Sequence, residues 1–309
     1  MRHLPTVVGL GEILWDLLPS GRQLGGAPAN VAYCAHLLGN RAVVASRVGD
    51  DEPGNEIRRR LRLAGIGDQF LQADPEHPTG TVPVQVDAAG VPQFQIAFPA
   101  AWDFFECSED WRALARSADA VCFGSLAQRS PASREAILKF LDSTRPEALR
   151  VFDVNLRQTY FSADVLAGSL QRANVVKLNH EEAGTVAGLL QMSGDDEPSF
   201  CRGLIQRFNL RLVCVTRGAN GSLLVTRASM DEQPGFRIQV KDTVGAGDAF
   251  TAGLIHELLR GGSLPSVHRL ASRMGAWVAS CEGAMPPAPE DGLLQALEKF
   301  ERVSDPRKR

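Results

Sequence analysis

Asp248 stands in a glycine-rich stretch, residues 242–250, with the sequence Asp-Thr-Val-Gly-Ala-Gly-Asp-Ala-Phe. A strand-like run, 236–240, leads into this stretch, and a helix-like run, 249–260, leads away from it. Glycines at a helix start let backbone N–H groups approach an anion closely, and the helix dipole favours negative charge there. A carboxylate beside such an anion hole can deprotonate a hydroxyl while the hole neutralises charge on the group under attack. An ordinary helix start with a dipole-friendly Asp fits the same residues, so the stretch alone leaves both interpretations open.

A second glycine-rich stretch, residues 25–30, has the sequence Gly-Gly-Ala-Pro-Ala-Asn and opens a helix that runs to about residue 38. Pro28 suits the first turn of that helix, and Gly39 ends it. The glycine pair exposes backbone groups at a helix start, as the 242–250 stretch does. The chain therefore has two places where a ligand can approach a helix N-terminus.

Short apolar strands alternate with amphipathic helices along most of the chain, and this pattern predicts an α/β fold. The expected sheet is mostly parallel, with helices on both faces. Ligands in such sheets bind at the carboxyl ends of the strands. Several polar residues follow predicted strands directly, so we expect them to share one rim with the 242–250 stretch: Asp16, Asn155, Arg157, Asn179 and Thr216.

Residues 80–98 interrupt this alternation. Apolar and polar residues alternate on both sides of a turn at 88–90, which predicts a β-hairpin, and Pro83 and Pro92 indicate edge positions. A hairpin inside an α/β pattern indicates an insertion, which can serve as a lid, as a dimer contact or as both. We therefore expect one domain, residues 1–309, with a small β lid at about 79–105.

The 309 residues are 44% hydrophobic and 22% charged and carry a formal net charge of −3, as expected of a soluble globular protein. The near-neutral balance argues against nucleic acid or an anionic membrane as the main partner. The six cysteines are scattered and form no CxxC pair, which favours buried thiols in a reducing compartment over disulfides or zinc. Because there is no signal-like start and no long apolar span, we expect a cytoplasmic protein.

Several common phosphate and catalytic motifs are absent from the sequence. A Walker A loop needs Gly-Lys-Ser/Thr, and no lysine follows a glycine. The pair Gly9 and Gly11 lacks the third glycine of a dinucleotide fingerprint, and HExxH, GxSxG and the protein-kinase catalytic loop are missing. Any phosphate site must therefore use backbone amides and helix termini in place of a Walker lysine.

The two glycine-rich stretches together resemble the two signatures of the ribokinase-like (PfkB) carbohydrate kinases. The resemblance covers essentially the whole chain, from residues 11–16 to residues 283–286. Within that family the chain looks most like the bacterial fructokinases, through residues 11–16, 78–81, 101–103 and 152–157. The resemblance implies a ribokinase-like α/β fold and an ATP-dependent sugar kinase.

The resemblance also implies roles for individual residues. Asp248 is implied to be the catalytic base that takes the proton from the sugar hydroxyl. The N–H groups of Gly245, Ala246 and Gly247 are implied to form the anion hole for the transferring phosphoryl group.

The sugar side of the site is implied by a second set of residues. Asp16, Gly26 and Asn30 are expected to hold sugar hydroxyls, since a polyol needs paired acceptors and donors. Asn155 and Arg157 belong to the same implied region, and Arg157 can face either the sugar or the phosphate.

Asn179 and Glu182 match the family's NxxE motif, which organises Mg²⁺ and phosphate, usually through water. Asn followed three residues later by Glu is also a helix-capping pattern, and the two roles can coexist. Thr216, Gly218 and Gly221 match the nucleotide-binding loop of the family.

Asp242 and the carbonyls of Val244 and Gly283 match a monovalent-cation site of the family, which adds K⁺ to the implied ATP and Mg²⁺. Ser272 stands in the late helix near the adenine, where the family often has Asn. This departure leaves one nucleotide contact open and does not affect the reaction.

The implied reaction is transfer of the ATP γ-phosphoryl group to O6 of fructose, with the hairpin at 80–98 closing over the sugar. A sibling kinase for 2-keto-3-deoxygluconate, ribose or another small sugar is the alternative enzyme, although the absence of Lys and Arg from residues 79–105 favours a neutral sugar. A sugar or nucleotide sensor without catalysis is an alternative of a different class, and the complete 245–248 segment argues against it. The implied partners are a small sugar and ATP, and the hairpin edges suit a homodimer formed through the lid.

Overall fold

The computed structural model describes residues 4–18, 21–86, 92–192, 194 and 196–300. The strands in chain order are β1 (Thr6–Leu10), β2 (Leu14–Leu18), β3 (Gly21–Gly25), β4 (Arg41–Gly49), β5 (Leu71–Asp74), β6 (Gly80–Val86), β7 (Pro92–Phe94), β8 (Ala120–Phe123), β9 (Leu149–Asp153), β10 (Val175–Asn179), β11 (Leu212–Thr216), β12 (Ser222–Thr226) and β13 (Met230–Gln233). The helices are α1 (Ala27–Leu37), α2 (Glu52–Leu63), α3 (Glu109–Ser117), α4 (Pro131–Asp142), α5 (Ala163–Arg172), α6 (His180–Leu189), α7 (Glu197–Phe208), α8 (Ala246–Leu259), α9 (Leu264–Ala279) and α10 (Leu293–Glu298).

Nine of these strands form a central sheet in the order β13-β12-β11-β10-β9-β8-β1-β4-β5. In this spatial order, the strands from β11 through to β5 are parallel to one another, and β12 and β13 add an antiparallel edge. The parallel strands are buried on both faces, which is why they are almost continuously apolar. The predicted fold class, a mostly parallel sheet between helices, is confirmed.

The two faces of the sheet carry separate apolar cores because successive side chains of a strand point to opposite sides. Val8 of β1 belongs to the core beneath α3 to α7, whereas its neighbour Val7 belongs to the core beneath α1, α2 and α8 to α10. The two helices that begin at glycine-rich stretches, α1 and α8, therefore lie on the same face. Their N-termini meet at the rim formed by the carboxyl ends of the strands.

A second, four-stranded sheet has the order β3-β2-β6-β7. The expected hairpin is present as β6 and β7, although its turn at 88–90 lies outside the described residues. The other half of this sheet was not predicted; β2 and β3 contribute it from the segment between β1 and α1. Since β6 pairs with both β2 and β7, Pro83 lies in an inner strand, and the prediction of an edge position for it was wrong.

Two further predictions were wrong at the level of single elements. Asp16 does not follow a strand of the central sheet, because it lies inside β2 of the small sheet. The run 236–240 is not a strand, because the edge of the central sheet is already taken by β13, and Pro234 and Gly235 then end the ladder. Among the described residues, no helix has both the length and the apolar character needed to cross a membrane.

Candidate active site

Asp248 lies in the first turn of α8, as predicted. The residue before this helix, Gly245, has a left-handed backbone with φ of 77°. A Cβ on Gly245 would lie 2.5 Å from the Cβ of Ala284, so both the backbone conformation and the close packing require glycine here. This turn aims the first backbone N–H groups of α8 at the rim of the sheet.

The side chain of Asp248 is tied to the other glycine-rich helix start. Asn30 Nδ2 donates a hydrogen bond of 2.8 Å to Asp248 Oδ2. Asn30 is buried, and its Oδ1 has no hydrogen-bond partner among the described residues. Gly26 precedes α1 with φ of 108°, and a Cβ there would lie 2.4 Å from the carbonyl oxygen of Glu12. Asn30 therefore offers an unused acceptor beside the carboxylate of Asp248.

The electrostatic surroundings of Asp248 raise its pKa from 3.8 to about 6. Burial is the main cause, and the nearby carboxylate of Asp153 adds to it. Lys177, the Asn30 hydrogen bond and Arg157 act in the opposite direction. A carboxyl group with this pKa is ionised at neutral pH and is a better proton acceptor than an ordinary aspartate.

The three backbone amides expected to form an anion hole differ in whether they already donate a hydrogen bond. Ala246 N donates to the carbonyl of Thr243 at 3.2 Å and is therefore already engaged. Gly245 and Gly247 have no such partner among the hydrogen bonds of the described chain, and the first N–H groups of a helix have none within the helix. These two amides are the available donors at this position.

Asp16 and Arg157 reach the same region from different elements. Burial raises the pKa of Asp16 to about 6, Arg157 lowers it, and Asp242 raises it further. A side chain of the small sheet therefore lies within electrostatic range of the loop before α8. Arg157 is exposed, and within the described part of the chain its side chain donates only to the carbonyl of Leu156, so its charge is available to a ligand.

Asn179 and Glu182 form a complete capping box at the start of α6. Asn179 Oδ1 accepts from the amide of Glu182, and Glu182 Oε2 accepts from the amide of Asn179, both at 2.8 Å. Glu182 Oε1 also accepts from the amide of Leu156 at 2.9 Å, in the loop after β9 that carries Asn155. The capping interpretation is confirmed, and both carboxylate oxygens of Glu182 are engaged with backbone.

Three of the predicted nucleotide residues, Thr216, Gly218 and Gly221, lie further along the same rim. Thr216 ends β11 directly beside Asn179, with which it pairs in register at the end of β10. Gly218 and Gly221 flank the short turn between β11 and β12, both with positive φ. Ser272 lies on α9, and its buried Oγ has no partner among the described residues.

Asp242 joins the loop before α8 to the loop after α9. Its Oδ1 accepts from the amide of Val244 at 3.0 Å, and its Oδ2 accepts from the amide of Gly283 at 3.1 Å. The three residues expected to form a monovalent-cation site are thus brought together. A Cβ on Gly283 would also lie 3.2 Å from Gln23 Oε1, so β3 of the small sheet reaches this loop.

The sequence profile of the pfkB family carbohydrate kinases matches residues 21–291. This chain belongs to the pfkB family of carbohydrate kinases. It is 32% identical over 300 residues to a fructokinase of Escherichia coli, a match that covers 91% of this chain and 95% of that enzyme. The family and the enzyme class implied by the sequence resemblance are therefore confirmed.

Solved structures resemble this pfkB-family kinase along most of its length. A fructokinase with bound ATP from Xylella fastidiosa matches with a TM-score of 0.80 and 25% identity, covering 91% of this chain and 95% of that one. A fructokinase from Vibrio cholerae O395, in its fructose, ADP and calcium ion bound form, matches with a TM-score of 0.76 and 28% identity, with coverage of 91% and 95%.

Glu12 of this pfkB-family kinase was not among the site residues predicted from the sequence; it follows β1 and is 2% exposed. Burial raises its pKa to about 7, hydrogen bonds from its own amide and that of Ala27 lower the pKa, and the charge of Asp248 raises it. Its Oε2 has no partner among the described residues. A usable signal was present, because Glu12 directly follows a predicted buried strand.

The buried pair Asp153 and Lys177 was also missed. Lys177 Nζ donates to Asp153 Oδ1 at 3.0 Å, behind the first turn of α8. Lys177 interrupts an otherwise apolar strand, and a lysine in such a place is seldom buried without a partner. That anomaly was the signal that could have identified the pair.

Proposed function

We propose that this kinase transfers the γ-phosphoryl group of ATP to O6 of fructose. The observation that carries the proposal is the hydrogen bond between Asn30 and Asp248, because it unites the two glycine-rich helix starts at one point of the rim. One start offers amides for a phosphoryl group, and the other offers polar groups for a sugar. Asp248 lies where the two ligands must meet.

In the proposed reaction, Asp248 accepts the proton of the attacking sugar hydroxyl. The amides of Gly245 and Gly247 donate to the transferring phosphoryl group, so negative charge is stabilised where it develops. Asn30, through its Oδ1, and Asp16 accept from sugar hydroxyls and orient the ring. Gly26 lets the chain pass close to the sugar, and this positioning is the main source of rate in phosphoryl transfer.

ATP is assigned to the rim between β10 and α9, along Asn179, Thr216, Gly218 and Gly221, with Ser272 near the base. Arg157 and Asn155 stand between the nucleotide and sugar positions. The exposed guanidinium of Arg157 can contact a phosphate oxygen or a sugar hydroxyl.

Glu182 is assigned to a Mg²⁺ ion through water. Both of its oxygens already accept a backbone N–H, so a bridging water suits the remaining lone pairs better than direct ligation. The described residues contain no cluster of three metal-binding side chains, which fits an ion held mainly by phosphates and water. When bound, Mg²⁺ would supply charge neutralisation across the phosphates.

A monovalent cation, K⁺, is assigned to Asp242 and the carbonyls of Val244 and Gly283. The carboxylate of Asp242 already draws these two loops together through their amides. A cation bound there would stabilise the loop that leads into Gly245 and thereby the amides of the anion hole.

The small sheet is assigned as a lid on a single kinase domain. Asp16 on β2 lies in electrostatic range of Asp242, and Gln23 on β3 lies close to Gly283, so this sheet faces the sugar position. Closure over the sugar would exclude water as a competing acceptor. The outer strands β3 and β7 suit a homodimer formed through the lid, which light scattering would test.

Fructose is favoured as the acceptor because residues 79–105 contain no cationic side chain, and because the relatives include fructokinases, one of them solved with fructose and ADP. The test is a coupled assay of ADP release over fructose, ribose, 2-keto-3-deoxygluconate and nucleosides. Fructose should give the highest kcat/KM. A higher kcat/KM for another acceptor would overturn the substrate assignment.

The catalytic assignment is tested with Asp248→Asn, which should lower kcat by at least about 100-fold while ATP still binds. The matched control is Asp110→Asn, since Asp110 also lies in the first turn of a helix, α3, but is exposed and outside the site. Near-wild-type turnover of the Asp248 variant would refute the role of base. Failure of the wild-type protein to consume ATP with any acceptor would instead indicate a sugar or nucleotide sensor.

A further inference from the structure

A buried ion pair lies beneath the helix turn that carries Asp248. Lys177 Nζ donates to Asp153 Oδ1 at 3.0 Å and to Asp153 Oδ2 at 3.2 Å. The two residues are opposite each other on the neighbouring parallel strands β9 and β10. Asp153 is 2% exposed and Lys177 is 7% exposed. Both side chains are therefore almost completely shielded from solvent.

Two contacts connect this pair to α8. A Cβ placed on Gly247 would lie only 2.9 Å from Lys177 Nζ, so the ammonium lies against the backbone of the anion-hole turn. The hydroxyl of Thr251, one turn later in α8, lies 2.8 Å from Asp153 Oδ2 and 3.0 Å from the carbonyl oxygen of Gly247. The pair and the hydroxyl thus hold the first turn of α8 from below.

The charges of the pair act on Asp248 in opposite directions. Lys177 favours the ionised carboxylate of Asp248, and Asp153 disfavours it. Burial alone would lower the pKa of Lys177, but Asp153, Glu182 and Asp248 raise it, so the lysine is charged at the pH of catalysis. Both charges are buried, and electrostatic interactions are stronger in the protein interior than in water.

The other titratable groups around Asp248 in the described chain come from four elements. Glu12 follows β1, Arg157 follows β9, Cys34 lies on α1 and Cys122 on β8. Burial raises the pKa of both thiols, so the cysteines are neutral and contribute no charge. Glu12, with a pKa of about 7, is largely neutral where Asp248 ionises near pH 6, and Arg157 favours that ionisation.

We propose that Lys177 is a positioning residue for phosphoryl transfer: anchored by Asp153 beneath Gly247, it holds the first turn of α8 and keeps Asp248 in its proton-accepting form. The proposal rests on the proposed role of Asp248 as the base. Asp153 fixes Lys177 in place, and its own negative charge partly offsets the effect of Lys177 on the ionisation of Asp248. A pair that served folding alone would leave the titration of Asp248 unchanged when its charges were altered one at a time.

The test is the pH profile of kcat for the full-length wild type and for three variants. Lys177→Met removes the favourable charge, so the rise of kcat with pH should move to higher pH by about one unit. Asp153→Asn removes the opposing charge, so the same rise should move to lower pH. Thr251→Val removes the hydroxyl without changing any charge and should leave the midpoint in place.

Opposite shifts in the two charge variants support the proposal. An unmoved midpoint in Asp153→Asn, or a shift to higher pH, overturns it, and this variant alone decides if Lys177→Met does not fold. A shift in Thr251→Val as large as that in Asp153→Asn also overturns it, because the effect would then be mechanical.

A second measurement separates this inference from the proposed function. The Asp248 carboxyl carbon is followed by NMR across the pH range, with its signal assigned by comparison with Asp248→Asn. If that signal fails to shift as stated in the variants, the role of Lys177 is refuted. If it shifts as stated but kcat does not follow it, the electrostatic role holds, and the role of Asp248 as the base is what fails.

Discussion

Asn30 and Asp248 are 218 positions apart in the sequence, and their side chains share a hydrogen bond of 2.8 Å. Asn30 belongs to the first turn of α1 and Asp248 to the first turn of α8, so the bond fixes two helix N-termini relative to each other. The helices pack on the same face of the sheet. The carboxylate is thereby oriented by a neutral donor, which leaves its negative charge available for a proton.

Replacement of Asn30 by Ala should lower kcat/KM for fructose by about 100-fold. The variant loses the donor that orients Asp248 and the Oδ1 acceptor proposed for the sugar. Because this hydrogen bond lowers the pKa of Asp248, its loss should also move the rise of kcat to higher pH. Steady-state kinetics across pH measure both effects. Asn55→Ala, at an exposed position of α2, serves as the control. Wild-type kcat/KM in Asn30→Ala would contradict the assignment.

Replacement of Asp248 by Asn should stabilise the protein at neutral pH while it lowers kcat. The folded pKa of about 6 lies above the ordinary value of 3.8, so ionisation of Asp248 costs stability as the pH rises between these values. Above pH 6 the full cost is present, and we expect the variant to be more stable by about 1–2 kcal/mol. Below pH 4 both proteins carry a neutral group, and the difference should vanish. Urea unfolding at pH 4 and pH 8 measures this, and a variant less stable than wild type at pH 8 would contradict it.

Most of the fold could be predicted from the sequence because the central strands are short apolar runs bounded by turn residues. The small sheet was only half predicted. Residues 80–86 and 92–94 alternate clearly, but the segment 14–25 contains Trp15, Asp16 and Gly25 in an order that also suits a loop. Pairing of β2 with β6 joins segments that are far apart in the chain, and local patterns carry no information about such pairing.

The residues of the candidate site also differ in how far the sequence alone predicts them. Asp248, Asn30 and the glycines occur in local motifs whose spacing is visible in the sequence. Glu12 is defined by its burial, and Asp153 and Lys177 by their pairing across two strands, so these properties appear only in three dimensions. For Ala246, the sequence indicated its place at the helix start but not the state of its amide, which donates to the carbonyl of Thr243.

Replacement of Glu12 by Gln should leave the rise of kcat close to its wild-type pH, because Glu12, with a pKa of about 7, is still largely neutral where Asp248 ionises near pH 6. It should also stabilise the protein at pH 8 by about 1 kcal/mol or more, since the wild-type carboxylate is buried with a pKa near 7. As the raised folded pKa requires, this advantage should decline as the pH falls below 7 and disappear below about 4.5. Kinetics and urea unfolding on the same pH series measure both. Glu282→Gln, which is exposed, is the control. A kinetic profile shifted as far as that of Asn30→Ala, in either direction, would contradict the prediction.

Replacement of Gly245 by Ala should be more damaging than replacement of another left-handed glycine, because two penalties act together. Gly245 has φ of 77° and its added Cβ would meet Ala284 at 2.5 Å, whereas Gly39 has φ of 83° and open space around the corresponding position. Gly39→Ala should therefore cost about 1 kcal/mol of stability from backbone conformation alone. Gly245→Ala should cost about 3 kcal/mol and should also lower kcat, since relief of the clash displaces the amides of Gly245 and Gly247. Thermal unfolding and kcat are measured for both variants. Equal losses of stability with unchanged kcat in Gly245→Ala would show that close packing against Ala284 does not hold the anion-hole turn in place.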